Sequence, residues 1–327
     1  MQARQVVITG CAGFIGSHLA ERLVADGWRV TGVDAFTPYY DPADKEANLA
    51  NLALEPRFSL VRGDVASMPL ARLFQSRPVV VHLAAQPGVR GSFGDGFEHY
   101  VHDNVLATQR VFGVAQSAGC PRVVYASSSS IYGDAEAYPC PEQTPARPRS
   151  PYGVTKRTCE KLADVYRMHG LDTVGLRYFT VYGPRQRPDM AIRRICEAAS
   201  GGPTFRLNGD GSYSRDFTYV ADAVDATARA MTAPSPGRVL NVGGGHEATM
   251  TEVIDRIGAL AGAPLDVVRD EVQRGDVRRT RSDTTRARTR LGWTARTALD
   301  QGLAAELDWV RTRRATPALD LAAARAS

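Results

Sequence analysis

Gln5-Val6-Val7-Ile8-Thr9-Gly10-Cys11-Ala12-Gly13-Phe14-Ile15-Gly16 decides the fold of this chain. Five residues of strand character run straight into a G-x-x-G-x-x-G turn, and the turn opens a helical pattern over Phe14–Asp26. Glycines there let the backbone bend tightly and approach a pyrophosphate. The start of the helix adds free N–H groups and a partial positive charge. A glycine triplet alone says little; between a strand and a helix it marks a dinucleotide site. Gly10, Gly13, Phe14, Ile15 and Gly16 are therefore read as cofactor-binding.

Further apolar runs follow at Arg29–Val33, Phe58–Val61, Val79–His82, Val123–Ala126 and Thr173–Leu176. They are short, unbroken and rich in Val, as strands buried on both faces are. Helical patterns over Phe97–Ala118 and Tyr152–Met168 lie among them. The alternation predicts an α/β, Rossmann-type, doubly wound parallel sheet with its ligands at the carboxyl ends of the strands. After Gly183 the rhythm changes. Short helices such as Met190–Ala199 and Met250–Ala261 sit among Arg-, Pro- and Gly-rich loops, and Val239–Val242 reads as another strand. The expected division is a nucleotide-binding domain over 1–178 and a smaller, interleaved substrate-binding domain over 179–313. Elements near 215–245 return to the first domain, and a flexible tail covers 314–327.

Composition narrows the function classes. The chain has 327 residues, 43% of them hydrophobic and 23% charged, which suits a soluble globular protein. No apolar stretch approaches the roughly 18–20 residues of a membrane span, and the first residues lack the form of a signal peptide. The net charge of +5 is carried almost wholly by Arg, since three of forty basic residues are Lys. These Arg are spread along the chain without a basic-aromatic motif, which argues against nucleic acid as a partner. Cys11, Cys120, Cys140, Cys159 and Cys196 are scattered, so neither a metal site nor a disulfide framework is expected. A reducing cytoplasm is the simplest location for them.

Asp34 ends the second apolar run, 18 residues after Gly16. A carboxylate there binds a ribose 2′-OH and repels a 2′-phosphate. No Arg follows it directly, so NAD is expected rather than NADP. Asp64 and Val65 follow the third run, where Asp64 is placed to bond the adenine amine, and Leu83, Ala84 and Ala85 follow the fourth as a floor for the cofactor. A plain loop role for these last residues stays open.

The fifth run ends in Ala126-Ser127-Ser128-Ser129-Ser130-Ile131-Tyr132-Gly133, and 24 residues after Ser128 comes Tyr152-Gly153-Val154-Thr155-Lys156. Four residues is about one helical turn, which puts Tyr152 and Lys156 on one face. An ammonium there lowers the phenol's pKa and makes Tyr152 a usable base. An isolated Tyr–Lys pair is most simply a surface pair, and a run of Ser is most simply a loop. The placement of both beside the cofactor segment favours chemistry.

In order and spacing, Gly10/Gly13/Gly16, Asp34, the Ser128 segment and Tyr152/Lys156 resemble the extended short-chain dehydrogenase/reductase family of nucleotide-sugar-modifying enzymes, and the resemblance extends to about Trp309. It implies a catalytic set of Ser128, Tyr152 and Lys156, with Lys156 also bonding the nicotinamide ribose. Dehydratases of the family carry Asp-Glu immediately after that Ser, and UDP-glucuronate decarboxylases carry Glu at the second position; Ser129 and Ser130 stand there in this chain. Ala84–Arg90, the four-Ser run and Thr180–Met190 are similar to the UDP-glucuronate 4-epimerase subgroup. Gln86-Pro87-Gly88 departs from the more usual Gln-Ala-Gly, and Arg274 stands where Pro is common.

The likeness implies interconversion of UDP-glucuronate and UDP-galacturonate by transient oxidation at C4 with bound NAD, in a homodimer paired through 97–118 and 152–168. It places Arg90, Ser128, Ser129, Ser130, Tyr152, Thr180 and Arg187 at the substrate, with Ser129, Ser130 and Arg187 as donors suited to a carboxylate; a plain loop role or a diphosphate contact stays open for Arg187. Arg215 is placed at the diphosphate, with Arg274, Arg278 and Arg279 as further candidates. Epimerases of neutral UDP-sugars (UDP-glucose, UDP-N-acetylglucosamine), a UDP-glucuronate decarboxylase and a non-enzymatic NAD-binding sensor stay open as alternatives.

Overall fold

A computed structural model describes residues 4–315. Its strands are β1 (Gln5–Thr9), β2 (Arg29–Asp34), β3 (Phe58–Arg62), β4 (Val79–His82), β5 (Val123–Ser128), β6 (Thr173–Tyr178), β7 (Val181–Tyr182), β8 (Phe205–Asn208), β9 (Ser214–Tyr219), β10 (Val239–Val242), β11 (His246–Thr249) and β12 (Val267–Asp270). Seven of them form one sheet in the order β10-β6-β5-β4-β1-β2-β3, and every neighbouring pair is parallel. The chain winds outward from β1 to β3, then crosses back to β4 on the other side of β1. This reversal opens a crevice at the carboxyl ends of β1 and β4, where ligands of doubly wound sheets bind.

Successive side chains of a strand face opposite sides of the sheet, and two cores result. Ile8, Val81, Val124 and Val174 pack under Leu19 and Leu23 of the helix Phe14–Ala25 and Ala223 and Ala226 of the helix Val220–Thr232. Val7, Val80, Val123 and Tyr125 pack on the other face against Val111 and Phe112 of the helix Ala107–Ala118 and Cys159 and Ala163 of the helix Pro151–Met168. Each fully buried aliphatic side chain contributes about 1.5–3 kcal/mol. All five cysteines lie inside these and the neighbouring cores as free thiols.

Beyond β6 the chain builds a three-stranded sheet, β11-β9-β7, and a two-stranded pair, β12-β8. These share a third core of Tyr182, Ile195, Phe217, Val253 and Leu303. Local chemistry explains why the helix Met250–Ala261 was legible in sequence: Thr249 and Glu252 form a reciprocal capping box, and Gly262 ends it in the left-handed region.

Three expectations need correction. The run at Phe58–Val61 is not buried on both faces: β3 is the edge strand of the sheet, and its residues are half-buried or exposed. The helical pattern over Phe97–Ala118 is interrupted by a π-helical stretch at Val101–Leu106. The expected tail starts too early, because Arg314 belongs to the helix Leu299–Ala315; residues 316–327 lie outside the described residues. Among the described residues, no helix is long and apolar enough to cross a membrane.

Candidate active site

A cleft of about 630 Å³ opens over the carboxyl ends of β1, β2, β4 and β5. Gly10, Gly13, Phe14, Ile15 and Gly16 form one end of it. Gly10 has φ +72°, and a Cβ added at Gly16 would lie 2.1 Å from the Gly10 carbonyl oxygen, so glycine is required at both positions. The helix beginning at Phe14 has no side-chain cap, which leaves its first N–H groups available to an anion.

Asp34 lines the same cleft and is buried. Its carboxylate accepts from the N–H of Ala12 (3.1 Å) and of Phe36 (2.8 Å), and Lys45 Nζ stands 3.6 Å away. Asp64, Val65, Leu83, Ala84 and Ala85 complete the lining along this side. Asp64 caps its own loop by accepting from Ala66 N at 2.8 Å.

Toward the middle of the cleft stand Ser128, Ser129, Ser130, Tyr152 and Lys156. The helix Pro151–Met168 begins with Pro151 at its first position and Ser150 as a cap accepting from Gly153 N, which puts Tyr152 in the first turn and Lys156 in the next. Lys156 is buried and donates to the Ala126 carbonyl at 3.1 Å, with its Nζ 5.9 Å from the Tyr152 ring centroid. The Ser128 hydroxyl accepts from Ser130 N at 3.1 Å, closing the turn after β5. Tyr100 packs edge-on against Tyr152, 6.2 Å between centroids.

Behind this row is a buried ion pair that the sequence did not reveal. Arg177 on β6 donates to Glu160 from Nε and Nη2, both at 2.8 Å, and Ser127 donates to the same carboxylate at 2.7 Å. Burial alone would push the Glu160 carboxyl up, but the hydrogen bonds and charge of Arg177, with Ser127 and Arg157, outweigh it and hold the group below its ordinary value. Glu160 lies one turn beyond Lys156, so the pair fastens the Tyr152–Lys156 segment to β5 and β6.

A second, smaller cavity of about 180 Å³ shares Ser129, Ser130 and Thr180 with the cleft and adds Arg149 and Arg215. The only side-chain hydrogen bond of Arg215 among the described residues goes to the Ser214 carbonyl, at 2.9 Å. Burial holds its guanidinium below the ordinary value. Arg215 is half-buried and has no bonded carboxylate, although Asp276 lines the same cavity, so its guanidinium can take up an anion there.

Arg187 lines the main cleft and is paired through Nε and Nη2 with Asp189 (3.0 and 3.2 Å). Arg90 and Arg274 lie outside both cavities. Arg90 pairs with Asp276 at 3.2 Å, and Arg274 makes no hydrogen bond or ion pair among the described residues. Arg279 is committed to Glu247 at 2.6 and 2.9 Å, and Arg278 also lies outside the cavities. The other arginine lining this cavity is Arg149, from the loop before the Tyr152 helix; it is paired with Asp134 at 2.8 Å, and no local motif pointed to it.

The loop carrying Thr180 and Arg187 is held from beneath by Glu306, which accepts from Gly183 N at 2.8 Å. Glu306 is fully buried and its other carboxyl oxygen has no partner. Burial pushes its pKa well above the ordinary 4.5. A carboxyl raised on folding favours the native state when protonated and penalises it as pH climbs above the unfolded value. Glu306→Gln keeps the acceptor for Gly183 and cannot ionise. Its melting temperature relative to wild type should therefore rise between pH 4.5 and pH 8.5; thermal melts showing a gap independent of pH would refute this.

The family model described as GDP-mannose 4,6 dehydratase matches residues 7–305. The chain belongs to the extended short-chain dehydrogenase/reductase family. Among solved structures it is similar to the UDP-glucuronic acid 4-epimerase from Bacillus cereus in complex with UDP-glucuronic acid and NAD: TM-score 0.90, 36% identity, covering 94% of this chain and 99% of that one. MoeE5 in complex with UDP-glucuronic acid and NAD gives a TM-score of 0.86 at 41% identity, covering 95% and 100%. UDP-glucose 4-epimerase from Mycolicibacterium smegmatis is 37% identical over 317 residues, 94% of this chain and 99% of its own length. A dTDP-glucose 4,6-dehydratase from Streptomyces griseus is 34% identical over 315 residues, 94% of this chain and 94% of its own length.

Proposed function

We propose that this protein is a UDP-glucuronate 4-epimerase, interconverting UDP-glucuronate and UDP-galacturonate. The observation that carries this reading is the donor set that lines the cleft together with Tyr152: Arg187 and the hydroxyls of Ser129, Ser130 and Thr180, where a sugar carboxylate would find hydrogen bonds and charge. The glycine turn and Asp34 fit NAD, which when bound supplies a reversible hydride acceptor for sugar C4. Tyr152 takes the proton of the 4-OH, with Ser128 bonded to the same oxygen, and returns it after the ketone has turned over. Lys156, steadied by the Ala126 carbonyl, holds a positive charge beside the Tyr152 ring. Arg215 and Arg149 hold the diphosphate, so the sugar can rotate without release.

The 4-keto-uronate is a β-keto acid and loses CO2 when the breaking C–C bond aligns with the carbonyl. Donors around the carboxylate hold it out of that alignment. The same reading assigns 1–178 to NAD and 179–313 mainly to the UDP-sugar. It also assigns a homodimer through the helices that expose Phe97, Val101, Leu106, Val154, Val165 and Met168. Five buried free thiols suit a reducing cytoplasm.

Proton NMR of the purified protein with UDP-glucuronate, with and without added NAD, tests the assignment. UDP-galacturonate is the expected product. A UDP-pentose would make the protein a decarboxylase, and no reaction would favour a neutral UDP-sugar, the second reading, which the M. smegmatis relative supports. Arg187→Ala should raise KM for UDP-glucuronate about 10–100-fold and increase UDP-pentose release. If neither changes, Arg187 does not hold the carboxylate.

A further inference from the structure

We propose that Asp189 is a specificity-setting residue: by pairing with Arg187 it turns the carboxylate subsite into a nearly neutral one and limits how far the cleft prefers a uronate over an uncharged hexose. The inference rests on the proposed role of Arg187. Its basis is geometric. Asp189 meets the Nε–Nη2 edge of Arg187 with both oxygens, at 3.0 and 3.2 Å, the bidentate arrangement that fixes a guanidinium most firmly. Tyr39 donates to the same carboxylate at 3.3 Å, and its hydroxyl lies over the backbone of Gly88. Tyr39 and Arg187 both line the cleft. Arg187, Asp189 and Tyr39 therefore form one chain from the loop after β2 to the sugar end of the site.

Two consequences follow from charge. Arg187 is a permanent cation; burial works against it, and the bonded charge of Asp189 outweighs burial and compensates it when no substrate is bound. A neutral sugar then strands no unpaired cation when it enters. A uronate carboxylate approaching the free edge of the guanidinium meets the negative charge of Asp189 across it, and part of the attraction is cancelled. A site with an unpaired arginine would discriminate strongly between the two sugars; this one is built to discriminate modestly.

The test is calorimetric binding of UDP-glucuronate and UDP-glucose to the NAD-loaded protein. The readout is the ratio of the two dissociation constants. Asp189→Asn keeps the shape and one acceptor but removes the charge, and should move the ratio toward UDP-glucuronate by about tenfold or more. Asp189→Glu retains the charge and should leave the ratio within a few-fold of wild type. Loss of orientation alone would weaken uronate binding in Asp189→Asn and move the ratio the other way. That result, or an unchanged ratio, overturns the proposal. If wild type makes UDP-galacturonate while the ratio is unmoved, only the role of Asp189 fails. If wild type binds neither UDP-sugar, the assignment of the site fails as well.

Discussion

Tyr152→Phe is expected to reduce turnover of UDP-glucuronate by about a thousandfold or more, the scale of a lost general base, and to change little else. The phenol oxygen makes no hydrogen bond among the described residues, so its removal leaves no buried partner unsatisfied. The ring keeps its edge-on packing with Tyr100. Lys156 is held by the Ala126 carbonyl and not by the phenol. The expected result is thus a folded protein that still gains thermal stability on adding NAD, yet shows no UDP-galacturonate by NMR. Activity within tenfold of wild type would remove Tyr152 from the proton transfer and pass the role to a serine hydroxyl at the end of β5.

The largest effect on stability is expected behind the site. Glu160→Ala leaves the Arg177 guanidinium buried without its carboxylate and takes the acceptor from Ser127. Breaking a buried pair from one side costs about 3–5 kcal/mol, a large share of the roughly 5–15 kcal/mol that holds a domain together. The double variant Glu160→Leu with Arg177→Met removes both charges and should recover much of the loss. Urea titrations of the single and double variants decide it: a single substitution costing less than about 1 kcal/mol would show that water reaches the pair and screens it. Activity in the single variant should fall as well, since Tyr152 and Lys156 ride on the segment that Glu160 fastens.

What could be read from the sequence was local. The strand–glycine–helix order, Asp34 at the end of β2, and Tyr152 and Lys156 one turn apart are each encoded within a few residues, and each has a short-range physical cause. What could not be read depends on distant segments meeting. Lys45 reaches Asp34 only because a short helix after β2 folds back over it. Arg149 joins Arg215 across 66 residues of chain, and Glu306 reaches Gly183 across 123. The misreading of β3 has a similar origin: a Val- and Leu-rich run is compatible with a centre or an edge position, and only the order of strands separates them. The π-helical stretch at Val101–Leu106 escaped because one added residue per turn barely disturbs an apolar pattern over so short a length. Arg274 shows the opposite failure. Its neighbourhood resembled a phosphate-binding loop, yet its side chain lies outside both cavities.

The burial of all five thiols bears on how the protein ages in air. Sulfur is oxidised and alkylated as the thiolate. Burial raises the pKa of Cys11, Cys120, Cys140, Cys159 and Cys196 alike, that of Cys120 to about 11. Near neutral pH the folded molecule therefore offers oxidants and electrophiles almost no reactive sulfur. Chemical damage at cysteine has to wait for the chain to open, so shelf life without a reductant is set by the rate of unfolding.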